Sequence, residues 1–123
     1  MSTTVQRGLP PDLQLGKTSF YSRGSSVVNV SCGTHRSYEY VAFDYDSQSG
    51  DMSHTETIVA IKTDARRIPD TNLSHASGLR LERVDEWVFA FEPRRMVYRD
   101  RIQDFVNDII NLFEYAKDCH QSE

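Results

Sequence analysis

Four arginines, Arg94, Arg95, Arg99 and Arg101, fall within eight residues that hold a single acid, Asp100, so this segment carries +3 (4 − 1) in a chain whose formal charge is −4. Guanidinium groups present planar forks of donors that match the oxygens of phosphate or carboxylate. An amphipathic stretch that reads as a helix follows them, and a helix N-terminus contributes partial positive charge and free N–H groups. Such a cluster suits capture of a small anion or a nucleotide, and Arg66 and Arg67 join it if the preceding connection folds back. The plainer expectation is a solvated basic rim, paired with Glu82, Glu86, Glu92 and Asp100.

Two other constellations are weaker. His35 stands three residues after Cys32, the minimal pairing of nucleophile and base. No third orienting group or oxyanion site accompanies it, and the surrounding Cys32–Arg36 reads as a turn around Gly33, so no catalytic residue is expected. Asp44, Asp46 and Asp51 surround Gly50 in a stretch that begins like a calcium loop. The match then fails, with Ser49 where glycine is required and Thr55 where a bidentate glutamate is required. The remaining histidines, His54, His75 and His120, show no metal-ligand spacing, and neither Cys32 nor Cys119 belongs to a C-x-x-C pair. No metal and no cofactor is expected.

Position for all of these comes from the apolar periodicity. Ser26–Ser31 is a short β-branched run that reads as a strand, and Tyr38–Tyr45 follows as its hairpin partner. In that partner Val41, Phe43 and Tyr45 share one face, opposite Tyr40, Ala42 and Asp44. Asp46–Ser53 reads as a polar loop, and Thr55–Lys62 as a central strand with apolar residues on both faces. Thr63–Gly78 reads as a connection. Leu79–Val84 and Glu86–Phe91 alternate as a second hairpin about Asp85. From Asp100 to Lys117, Ile102, Phe105, Val106, Ile109, Leu112, Phe113 and Ala116 recur at helical spacing. Asp100 with Gln103 fits a capping box, while Asp104, Asn107, Asp108, Asn111 and Glu114 fill the other, polar face, and the acidic Asp104, Asp108, Glu114 and Asp118 read as a solvent-facing surface.

The fold expected is α+β, an antiparallel sheet of about five strands in two hairpins with one long C-terminal amphipathic helix packed across one face. Residues 1–17, with Pro10 and Pro11, are expected to form a loosely held arm, 18–118 the single domain and 119–123 a tail. One helix covers only part of such a sheet, and Tyr21, Tyr38, Tyr40 and Tyr98 are candidates to line the rest. In layout the chain resembles small α+β proteins of bacterial origin, a likeness of architecture that carries no residue roles.

Composition narrows the function classes. At 123 residues, with 6 Phe, 6 Tyr and 1 Trp, the chain suits one self-sufficient core. No window is apolar enough for a transmembrane helix, and the first residues lack the apolar region of a secretory signal. Two widely spaced cysteines point to free thiols in a reducing cytoplasm. The acidic balance gives no attraction to nucleic acid. The leading expectation is therefore a non-enzymatic binding domain with a protein partner or a homodimer, joined through an open sheet face or an edge strand. The alternative is the small-anion or nucleotide module at Arg94, Arg95, Arg99 and Arg101.

Overall fold

The computed structural model describes residues 8–49, 52–63, 78–93 and 95–121. Five strands form one antiparallel sheet: β1 (Ser26–His35), β2 (Tyr38–Ser49), β3 (Met52–Lys62), β4 (Arg80–Val84) and β5 (Trp87–Phe91). Their spatial order is β1-β2-β3-β5-β4, which leaves β1 and β4 at the edges. Helix α1 (Ile102–Gln121) follows a single 3-10 turn at Arg99–Arg101 and packs on one face, so the fold is α+β.

The helix-side core joins Ala42, Val59, Ile61 and Val88 of the sheet to Val106 and Ile109 of the helix. Ile110, outside the expected apolar stripe, is fully buried as well. Tyr38 and Tyr40 pack along the margin of this core. The helix's polar side is not simply solvated. Arg36 Nη1 donates to Asn111 Oδ1 at 2.6 Å and Asn107 Oδ1 at 3.2 Å, and the Tyr38 hydroxyl donates to Glu114 Oε1 at 3.2 Å.

Local chemistry places the turns differently from the sequence expectation. Gly33 lies inside β1, where the Tyr40 ring crosses it so closely that an added Cβ would meet the ring's hydroxyl oxygen at 2.8 Å. Absence of a side chain serves close approach here, not chain reversal. The reversal falls at Arg36-Ser37, both at positive φ (52° and 71°), the backbone of a two-residue hairpin turn. The expected polar loop 46–53 is mostly strand, since β2 runs on to Ser49 and β3 resumes at Met52. The expected connection 64–77, including Arg66, Arg67 and His75, lies outside the described residues, as do Gly50, Asp51 and the side chains of Asp118, Cys119 and His120.

The largest departure concerns the N-terminus. The second sheet face, expected to stay open, is covered by residues 9–21, and the loosely held arm therefore does not extend to residue 17. Leu13 and Leu15 are 1% and 0% exposed, packed on Phe43, Ile58, Phe89 and Trp87. Pro10 and Pro11 do exclude helix, but they start a tight turn (Leu13 N–H to Pro10 carbonyl, 3.1 Å) that sets the two leucines down on the sheet. Phe20 adds edge-on ring contacts to Tyr45, Phe89 and Phe91 at centroid distances of 5.7, 5.8 and 5.1 Å. Polar clasps complete the cover: Ser19 donates from N and Oγ to the Glu82 carboxylate, and Trp87 Nε1 donates to Asp12 Oδ2 at 3.2 Å.

Asp12 also pairs with Lys62 at 3.0 Å. That hydrogen bond, helped by the Trp87 N–H, holds the Asp12 carboxyl below its ordinary value and raises the Lys62 ammonium in turn. A carboxylate with a lowered folded value stabilises the fold above its unfolded value and loses that contribution as pH falls through the folded one. Wild type should therefore be more stable than Asp12→Asn at neutral pH, the gap closing below about pH 4. Urea midpoints at several pH values check this, and a gap independent of pH would refute it.

Candidate functional site

β3 pairs with β5 only over Val59–Lys62, so the hairpin of β2 and β3 outruns the rest of the sheet. Beyond that pairing, the Thr57 N–H donates to the Arg95 carbonyl at 3.0 Å, and the chain leading into α1 takes the place of a strand. Thr57 Oγ1 accepts from the Val97 N–H at 2.7 Å and donates to Asp44 Oδ1 at 2.9 Å. Asp44 Oδ2 accepts from the Asn29 amide at 2.9 Å. One half-buried carboxylate thus ties together β1, β2, β3 and the approach to the helix.

Asn29 reaches Asp44 because β1 bulges there. The register slips between Val28, opposite Asp44, and Ser31, opposite Ala42. Asn29 takes φ of 56°, a conformation that asparagine tolerates better than most residues. Asn29, Ser31, Asp44, Met96, Tyr98 and Arg99 surround a concavity of about 240 Å³.

Three large apolar side chains are exposed among the described residues: Val28 (46%), Met96 (51%) and Tyr98 (81%). Two of them, Met96 and Tyr98, line this concavity, and the third, Val28, lies across the ladder from one of its lining residues, Asp44. Scattered exposed apolar residues are ordinary, whereas a shared location marks a surface.

The arginines divide between two concavities. Arg99 lines the one just described. Arg95 and Arg101 line a separate open groove of about 560 Å³ with Glu92, Asp104 and Asp108. Arg95 Nη1 is bound to Glu92 Oε1 at 2.7 Å, and its guanidinium carbon lies 6.0 Å from the Phe105 ring centre. Arg94 lies outside the described residues. The expected capping box is not formed. Tyr98 occupies the N-cap position, Asp100 falls inside the 3-10 turn, and no side chain caps that turn.

Cys32 and His35 are held on opposite faces of β1, Cys32 opposite Val41 and His35 opposite Tyr38. His35 Nε2 lies 3.0 Å from Asn107 Oδ1, within the clasp between hairpin turn and helix. Asp44 and Asp46 share a strand face, as the alternation requires, yet among the described residues no three His, Cys, Asp or Glu side chains converge on one point. Also among the described residues, no helix is long and apolar enough to cross a membrane.

No family model, curated protein or solved structure matches this chain. Val28, Asn29 and Met96 escape a sequence-level search for chemistry, because none carries a titratable group, and Tyr98 enters it only as a tyrosine expected to line the sheet. Their one signal is Met96-Val97-Tyr98, an apolar run between Pro93 and the helix where the periodicity has no use for it.

Proposed function

We propose that this chain is a non-enzymatic protein-interaction domain, and that its binding surface is the concavity lined by Met96 and Tyr98, with Val28 across the ladder from its Asp44. The lining of one concavity by two of the three exposed large apolar side chains, Met96 and Tyr98, with Val28 across the ladder from its Asp44, carries the proposal. Aromatic residues and methionine are enriched at the centres of protein interfaces. The bonds from Asn29 and Thr57 to Asp44 hold the concavity's wall in place, so little ordering is left for the binding step. The exposed thiol of Cys32 is the ordinary state of cysteine in a reducing cytoplasm, and that compartment is part of the proposal. The net charge of −4 argues against nucleic acid as the partner. A photo-reactive phenylalanine analogue at Tyr98 should yield a discrete cross-linked adduct in cells making the chain. The same group at Asp85, in the β4–β5 turn, serves as control. An adduct at Tyr98 no stronger than at Asp85 would overturn the proposal.

A second reading keeps the arginine cluster as an anion or nucleotide module, with Arg99 and Arg101 in the 3-10 turn that leads into α1. The uncapped state of that turn favours it. Phosphate or a nucleotide should then raise the thermal midpoint, and Arg99→Ala with Arg101→Ala should remove the rise. No rise at millimolar ligand would eliminate this reading.

A further inference from the structure

We propose that the partner is a second copy of this chain, related by a two-fold axis, with Tyr98 of each copy seated in the other's concavity beside Asp44. The proposal rests on the interaction-domain reading and names its partner.

A two-fold interface uses the same patch on both copies, so that patch must contain both a projection and a receptacle. This one does. Tyr98 is 81% exposed and stands at the lip of a concavity of about 240 Å³. A surface built for an unrelated partner has no need to present both.

The charges obey the same rule. Arg99 and Asp44 line one concavity, a cation and an anion in a single patch. A two-fold rotation brings each Arg99 toward the other copy's Asp44, so both are matched at once. A uniformly basic or uniformly acidic partner would match one and oppose the other.

Hydrogen bonding permits the seat. Among the described residues, Asp44 Oδ1 accepts from Thr57 and Oδ2 from Asn29, one side-chain donor each. A carboxylate offers about four lone-pair sites. The Tyr98 hydroxyl of the other copy therefore finds an acceptor, while its ring lies against Met96 and Val28. Burying an aromatic ring with its hydroxyl satisfied is the combination that makes tyrosine an effective interface anchor.

Sedimentation and light scattering of the purified full chain over a concentration series test this. A reversible monomer–dimer equilibrium is expected, and Tyr98→Ala should weaken it by at least about tenfold. Tyr98 is exposed enough that its removal leaves the fold intact, which far-UV circular dichroism checks. Arg99→Asp and Asp44→Arg should each be monomeric alone and dimerise when mixed, because the mixture restores both cross-pairs. If Asp44→Arg fails to fold, Tyr98→Ala and Arg99→Asp decide the matter. A wild type that stays monomeric into the millimolar range, or a dimer indifferent to Tyr98→Ala, overturns the proposal. A monomer that still gives a Tyr98 adduct with a different protein overturns the second copy alone. A monomer without any adduct overturns the interaction reading too.

Discussion

Leu13→Ala and Leu15→Ala are each expected to cost about 2–5 kcal/mol, and the double variant to be largely unfolded at physiological temperature. Both side chains are fully buried against the sheet face opposite the helix. A domain of this size has roughly 5–15 kcal/mol to lose. The two leucines share neighbours, so their effects will not add cleanly, but either one removes a large share of the cover. Their loss strips part of the cover from Val41, Phe43, Ile58 and Phe89, which share their cluster. If the segment detaches before the sheet unfolds, the double variant will bind a hydrophobic dye and associate. If folding is all-or-none, its urea midpoint will fall instead. Either result supports a structural role for residues 9–21. A double variant with wild-type midpoint and no dye binding would show that the segment is dispensable.

The same two leucines show where the sequence stops being legible. Alternation in Tyr38–Tyr45 and Thr55–Lys62 reads directly as strands, because each residue's face follows from its parity. Their burial agrees, with Phe43 on one side and Ala42 on the other. Leu13 and Leu15 sit among Pro10, Pro11 and Gly16 in a segment without periodicity, and only tertiary contact makes them core. Gly33 invites a turn and is instead crossed by Tyr40. Arg36-Ser37 carries no turn signature, yet the ladder on either side forces both residues to positive φ. The polar run 46–49 becomes strand because β3 pairs along it, an override of local preference by partner. For the candidate site, Arg99 is visible as a charge in excess. Met96 is not, and Tyr98 reads only as one of four tyrosines lining the sheet, since exposure depends on where α1 begins relative to the sheet. That placement is fixed by Thr57 binding the backbone of Arg95 and Val97.

Ile110→Ala is expected to cost about 2–5 kcal/mol, and Leu112→Ala distinctly less. By apolar spacing alone the order is reversed, because Leu112 lies on the stripe that starts at Ile102 and Ile110 does not. In the structure Ile110 is fully buried while Leu112 is only partly so, and Phe105, Val106, Ile109 and Phe113 complete the buried set. The buried offsets from Phe105 are thus 1, 4, 5 and 8, a stripe rotated toward the sheet's centre from the one spacing suggests. That rotation turns Asn107 and Asn111 toward the Arg36 turn, where both accept its hydrogen bonds, and leaves Leu112 beside the groove that holds Arg101. Measuring both variants by urea unfolding therefore tests the orientation of the whole helix. Equal costs, or a larger cost at Leu112, would mean that the helix sits on its expected stripe. Asn107 and Asn111 would then lose their contact with the hairpin turn, and Arg99, just before the helix, would no longer share a concavity with Asp44.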